Sequence, residues 1–425
     1  MIKKRSLATT SIALLAVAAL TGCSTGGSGD AGSGSDAGGA TEVRVLVNIT
    51  PNLTEEWWNT LVKPFEDANP DIDVIIQSPG ADGVQKALPR LLASGDAPDI
   101  VQSLAPTPEL AQEFVDLSSY DWAANGPLAE QYAIDGKQYM AGVGIQLQSL
   151  WFYNKTAFEE AGITETPTDL EEFTADLAKL KDAGWTPIQT GGDWMSQMSY
   201  QALALPSVVA ENDDWFQKMS SGDLTFTKTA GAYTEMYADW VAKGYLNSDA
   251  LGIKYPDAEQ SFLAGKSALY PMGSWFAAAE ANADNPPSIG VFAGPADASV
   301  KNPAMGANIA SPYSILKSSD HQEAALKVVE YLATDKAAVV DQLQVDGNYR
   351  DGYEYEMNDL ATELLQIVAD TPASSYTPTG NGYGERTMPA GYADELNTQV
   401  QALLGGTPAA DVNSALDSWF TANAQ

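Results

Sequence analysis

The sequence predicts an α/β fold, and three observations carry that expectation. Glu42–Val47, Ile72–Ile76 and Asp99–Gln102 are short apolar runs with a helical pattern between each pair. Strand, helix, strand, helix, strand in that order requires parallel pairing. Length is the second: removing the first 22 of 425 residues leaves 403, enough for two or three lobes with cores of their own. The third is a buried-type strand, Ser267–Tyr270, that runs into Pro271, Met272, Gly273, Ser274 and Trp275. Glycine lets backbone approach a guest closely, and an indole offers a flat apolar face beside exposed amides. An isolated tryptophan is more often a core residue; the Gly-Ser pair before this one shifts the reading toward a site.

Lys3, Lys4 and Arg5 precede an apolar stretch, Leu7–Leu20, that is too short to span a bilayer as a stable helix. It ends in Leu-Thr-Gly-Cys at Leu20–Cys23, which resembles a bacterial lipobox. Residues 1–22 are therefore expected to be a lipoprotein signal peptide, and Cys23 the lipidated first residue of the mature chain. Cys23 is the only cysteine, so no disulfide can form within the chain. Ser24–Ala40 is Gly/Ser-rich and reads as a flexible linker with a root-mean-square span of roughly 20–25 Å. The expected product is a tethered head on the extracellular face of the cytoplasmic membrane.

Net charge is −34, and losing Lys3, Lys4 and Arg5 takes it to −37. Such a surface argues against nucleic acid and anionic lipid as partners and disfavours acidic solutes. Ten Trp and 18 Tyr suit a neutral, ring-faced ligand.

Thr54, Glu55 and Glu56 open a helix whose Trp58, Leu61, Val62 and Phe65 share one face, and Asn69-Pro70 stops it. A second helix runs from about Gly83 to Ala93; Pro89 predicts a kink or a late start. Ligands of parallel sheets bind beyond the carboxyl ends of the strands. That rule nominates Asn48, Thr50 and Asn52 after the first strand, Gln77 and Ser78 after the second, and Gln102 and Ser103 after the third. Trp151–Asn154 reads as a strand crossing between lobes. Thr168 and Glu171 form a capping box for a helix over Asp169–Asp182 with Leu170, Phe173, Leu177 and Leu180 inward. Thr190–Trp194 is a strand end with glycines and an aromatic. Further helices are expected over about Asp213–Met219 and Ala230–Lys243, with a strand at Ile289–Phe292. Asp320 is expected to cap a helix that buries Leu326, Val329 and Leu332, leaving His321, the only histidine, solvated in its first turn. Thr377–Arg386 is Gly-rich. It lacks the Gly-Lys-Ser of a phosphate cradle and reads as a loop over a cleft, with Asn381, Tyr383 and Arg386 as contacts. A final helix is capped by Thr407 with Pro408 at its first position.

Three stretches resemble a known family in the right order: Phe-Leu-Ala-Gly-Lys-Ser-Ala-Leu-Tyr-Pro-Met-Gly-Ser-Trp at Phe262–Trp275, Trp151–Gly162 followed by Pro167 and Leu170–Phe173, and Gly95–Gln102. They resemble the family 1 extracellular solute-binding proteins of ABC importers, the carbohydrate-binding group. One departure is that Thr168 follows Pro167 directly. The resemblance implies a two-lobed periplasmic-binding-protein-like fold, with mixed sheets flanked by helices and a ligand cleft between the lobes. Lobe 1 would comprise 41–150 and about 306–350, and lobe 2 about 151–305 and 351–425. It implies that Asp193 and Trp194 line the cleft, and that Met305–Leu316 is the return crossing carrying Asn308 toward a sugar. It also implies a monomer that takes a neutral oligosaccharide, without a cofactor, and delivers it to membrane permease subunits.

The residues exclude other chemistry. One histidine and no Gly-x-Ser-x-Gly elbow leave no nucleophile triad, and no Cys/His metal cluster can be assembled. Carboxylate pairs are abundant, so a lipid-anchored glycoside hydrolase is the rival reading, with a surface adhesin as a third.

Overall fold

The computed structural model describes residues 39–80, 83–212 and 214–424. The leader, Cys23 and most of the linker lie outside the described residues.

Alternation builds the first sheet. β1 (Thr41–Leu46) turns Val43 and Val45 into the core. It pairs in parallel with β2 (Ile72–Gln77) and with β3 (Ile100–Gln102). Against them pack the helix Glu55–Ala68, which buries Trp58, Leu61, Val62 and Phe65 as its spacing predicts, and the later helices Gln322–Thr334 and Lys336–Val345. Thr54 caps the first of these, its Oγ1 accepting the Trp57 N–H. Of the kink or late start expected from Pro89, the late start does not occur: the helix runs over Gly83–Ser94. Pro89 sits on its exposed face, where water can take up the Gln85 carbonyl that lacks a partner.

The chain then crosses. β4 (Gly144–Leu147) pairs with the returning β9 (Met305–Ala310), and Ser149 takes a positive φ of 61° before β5 (Leu150–Asn154). β5 is not the crossing strand that its composition suggested. It is the centre of a second sheet, with β7 (Ser267–Met272) on one side and β8 (Ile289–Ala293) on the other, both antiparallel, and β6 (Thr186–Ile188) parallel to β7. Its apolar run, including the buried Trp151 and Phe152, is needed because both faces are covered. Pro271 and Met272 belong to β7 rather than to the turn; Pro271 lies beyond Leu269, the last residue paired with β6. β10 (Tyr313–Ile315) returns to the first sheet antiparallel to β3. β11 (Tyr376–Thr377) extends the crossing sheet beside β9, and β12 (Gly382–Tyr383) forms a hairpin with β13 (Arg386–Thr387).

Three caps differ from expectation by one residue. Asp169, not Thr168, caps Leu170–Asp182; its Oδ1 accepts the Glu172 N–H, while Glu172 accepts from Thr168. His321 precedes Gln322–Thr334, and Ser319 rather than Asp320 takes its N–H. Pro408 is extended and flanks Ala409–Asn423 instead of starting it. A fully sheathed helix, Met195–Glu211, had no amphipathic signal because nearly every side chain is buried.

Around the crossing the packing admits no extra atom. A Cβ on Gly144 would lie 2.4 Å from Leu343 Cδ2 and 2.6 Å from the Tyr349 carbonyl oxygen. Gly144→Ala is expected to cost about 1–3 kcal/mol, measured by urea unfolding, because backbone must move to admit the methyl; an unchanged midpoint would contradict a tightly packed crossing.

Candidate functional site

β7 leads straight into the turn that organises the site. Gly273 is required there because a Cβ would sit 1.8 Å from Cζ3 of Trp275, whose indole folds back over it. Ser274 is fully buried, so its hydroxyl is not free for a ligand as expected. It accepts the Leu147 N–H at 3.2 Å while its own N–H donates to the Leu147 carbonyl at 2.9 Å, which ties the turn to the crossing strand β4. Trp275 is half-buried at the start of the short helix Phe276–Ala281.

A second loop delivers a second indole. Gly192 has no room for a side chain, since its Cβ would meet the Leu251 backbone at 2.6 Å. Asp193 follows, and its carboxylate caps two helices at once: Oδ1 accepts the Met195 N–H at 3.1 Å and Oδ2 the Tyr255 N–H at 2.9 Å. Asp193 is thus a positioning group. Between these anchors Trp194 stands 36% exposed, one of few large apolar side chains left so open. Its ring centroid is 5.0 Å from Tyr255 and 6.3 Å from Trp275. Three aromatic rings from three segments form one platform whose faces are tilted, by 56° between Trp194 and Tyr255 and 52° between Trp194 and Trp275.

Polar groups gather beside it. Asn52 Nδ2 lies 3.4 Å from the Trp275 carbonyl oxygen and 3.4 Å from Asp346 Oδ1. Gln146 Nε2 and Asn348 Nδ2 each reach Asp346 Oδ2 at 3.3 Å. Gly347, at φ 54°, makes this possible: its Cβ position is 2.7 Å from the Ser274 carbonyl oxygen, so the end of the helix Lys336–Val345 presses directly on the tryptophan turn. The loop after β1, the crossing strand, that helix end and the turn after β7 therefore meet at one point. Beneath Tyr255, Glu259 is buried with its Oε2 unpartnered, and so is the Tyr270 hydroxyl. Burial pushes Glu259 up to about 7 against the Tyr255 hydroxyl bond, and burial pushes Asp346 up to about 6 against the amides of Asn52 and Asn348.

The other nominated residues serve elsewhere. Asn48 accepts the Val84 N–H at the start of Gly83–Ser94 and donates its own N–H to the buried Gln102 side chain. Thr50 accepts from the Leu53 N–H. Gln77 is half-buried, its carbonyl accepting the Val47 N–H; Ser103 takes φ 61° and donates its N–H to Pro312. Asn308 faces Gln146 across β4 and β9 and donates to Thr379 Oγ1 at 2.8 Å, which in turn donates to Gln148. Asn381 accepts the Ala393 N–H at the start of Tyr392–Leu404. Arg386 donates to the Tyr376 carbonyl and lies over the Tyr383 ring, in its own hairpin. Of the first-strand residues, only Asn52 is joined to the platform. Sequence reasoning missed Tyr255, Gln146, Asp346 and Asn348. Among the described residues no three His, Cys, Asp or Glu side chains form a metal site.

Glu259 makes stability depend on pH. Below about pH 4.5 both folded and unfolded states are protonated. Between about 4.5 and 7 the folded state keeps a proton that the unfolded chain releases, so stability falls by about 3 kcal/mol as pH rises through that window. Glu259→Gln is expected to flatten the profile in urea unfolding at pH 4.5, 5.5 and 7, leaving the smaller fall that Asp346, raised from 3.8 to about 6, produces below about pH 6; a profile parallel to wild type would contradict it.

Comparisons agree with this architecture. A family model for bacterial extracellular solute-binding proteins matches residues 50–339. The chain is 28% identical over 305 residues to the multiple sugar-binding protein of Streptococcus mutans, covering 68% of this chain and 70% of that one. It is 27% identical over 355 residues to the diacetylchitobiose binding protein of Streptomyces coelicolor, covering 79% of each. The solved structure of a chitin oligosaccharide binding protein superposes with a TM-score of 0.77 at 21% identity, over 91% of this chain and 99% of that one, a likeness of fold. These relatives are binding proteins, their fold has two lobes, and the chain belongs to the family of bacterial extracellular solute-binding proteins.

Proposed function

We propose that the protein captures a neutral oligosaccharide in an interlobe cleft and delivers it, unchanged, to the permease of an ABC importer. The observation that carries this reading is the platform of Trp194, Tyr255 and Trp275, with ring centroids 5.0 and 6.3 Å apart, beside the amides of Asn52 and Gln146. Indole faces stack on the C–H faces of pyranose rings, and side-chain amides bond hydroxyls. The names of the relatives support sugar as the ligand class, and the charge of −34 argues against acidic solutes.

Lobe 1 then comprises 41–150 with about 306–350, and lobe 2 about 151–305 with 351–425; the two sheets and the crossing of β4 and β9 support this division. Closure about that crossing removes water from the bound sugar, so each hydroxyl left unmatched costs about 1–3 kcal/mol. Asp193, spent on two helix starts, and Glu259, sealed under Tyr255, are poorly disposed as an acid–base pair, which supports binding over hydrolysis. Cys23 carries the lipid that holds the monomer at the outer face of the membrane.

Calorimetric titration with neutral di- to tetrasaccharides tests the site. Trp275→Ala and Trp194→Ala are each expected to weaken binding about tenfold or more, ~1.4 kcal/mol. Unchanged affinity in both would remove the platform from the account, and sugar turnover seen by product chromatography would favour a hydrolase. Cys23→Ser is expected to release the protein into the medium and abolish incorporation of labelled fatty acid; continued membrane retention would contradict the anchor.

A further inference from the structure

Asp346 stands out once the platform is described. It follows the helix Lys336–Val345 and is half-buried. Its oxygens have three neighbours, all side-chain amides and all long, at 3.3–3.4 Å: Asn52 on Oδ1, Gln146 and Asn348 on Oδ2. Among the described residues it makes no ion pair. A carboxylate has about four acceptor sites and gains most from short, direct donors. Three stretched amide bonds orient this one without satisfying it. The Asn52 amide that touches it also touches the Trp275 carbonyl, and a Cβ on the adjacent Gly347 would lie 3.3 Å from the Trp275 Cα, so the carboxylate sits at the edge of the indole platform.

Resting on the sugar-binding reading above, we propose that Asp346 is the specificity-determining residue of the cleft, its carboxylate accepting hydrogen bonds from two neighbouring hydroxyls of the sugar ring that stacks on Trp275. The ligand class is narrowed accordingly, to a saccharide with an adjacent pair of free hydroxyls at that position. Sugar hydroxyls are short, mobile donors that can approach Oδ1 and Oδ2 together, and they supply what the amides leave unmet. Burial raises the carboxyl to about 6, with the Asn52 and Asn348 amides opposing, so near pH 7.5 it is an ionised acceptor. The side chains of Asn52, Gln146 and Asn348 act as positioning groups for it.

The test uses the full mature protein, the tightest-binding neutral disaccharide and its monodeoxy analogues, by calorimetry at pH 7.5. Asp346→Asn keeps size and replaces one acceptor by a donor. It is expected to weaken the parent sugar by at least tenfold, and to become indifferent to removal of a hydroxyl whose loss costs the wild type tenfold or more. Asp346→Ser, judged folded by its thermal midpoint, is expected to show the same indifference. Affinity within twofold of wild type in a folded variant, or an undiminished penalty for every deoxy analogue, would overturn the proposal while leaving the platform intact. If Trp275→Ala also binds as wild type does, no sugar ring stacks there and this proposal falls with the platform; if no neutral sugar binds the wild type at all, the sugar reading itself fails and this proposal falls with it.

Discussion

The pairing of Ser274 with Leu147 is the constraint on which the rest depends. Two hydrogen bonds, one through backbone and one through the serine hydroxyl, fasten the turn after β7 to the strand that crosses between the sheets. A buried hydroxyl of this kind is costly to lose, because the Leu147 N–H it accepts from would be stranded away from water. Fixing that turn fixes Trp275, and with it the point where Asn52, Gln146 and the end of Lys336–Val345 converge. The glycines on either side are the steric counterpart. Gly273 leaves space for the indole, and Gly347 lets a second segment press against the same turn.

Electrostatics follows from the same crowding. Asp346 and Glu259 are both near enough to Tyr255 for their charges to act on its hydroxyl, and both are raised because burial disfavours their charge. They differ in kind. Glu259 is sealed beneath the aromatic layer and its charge only costs stability as pH rises. Asp346 is half-buried and held only by the amides of Asn52, Gln146 and Asn348. Asp193, close by in sequence to Trp194, is neither, since its oxygens are committed to the Met195 and Tyr255 amides. Three carboxylates around one platform thus sit in three environments, set by their partners rather than by their type.

Much of this was legible in the sequence. The helix Glu55–Ala68 announced itself through its cap and its apolar spacing, the parallel start of the first sheet through its alternation, and the tryptophan turn through Gly273, since local patterns encode local structure. Other features depend on distant partners and leave no local trace. Ser274 looked like a ligand group because nothing nearby reveals that Leu147 would consume its hydroxyl. Asp346 attracted no notice because its partners lie as far away as Asn52 and Gln146. The strand Leu150–Asn154 is ambiguous in sequence for a related reason: a buried apolar run fits both a crossing and a central strand, and only its pairing with the distant β7 and β8 tells them apart.

The most direct measurement is a crystal structure of the protein grown with its tightest-binding neutral oligosaccharide. The account predicts a pyranose ring lying flat on the Trp275 indole at about 4 Å, with Trp194 bracketing the same chain of rings and the crossing strands intact. A sugar bound elsewhere, with both indoles facing empty solvent, would contradict it.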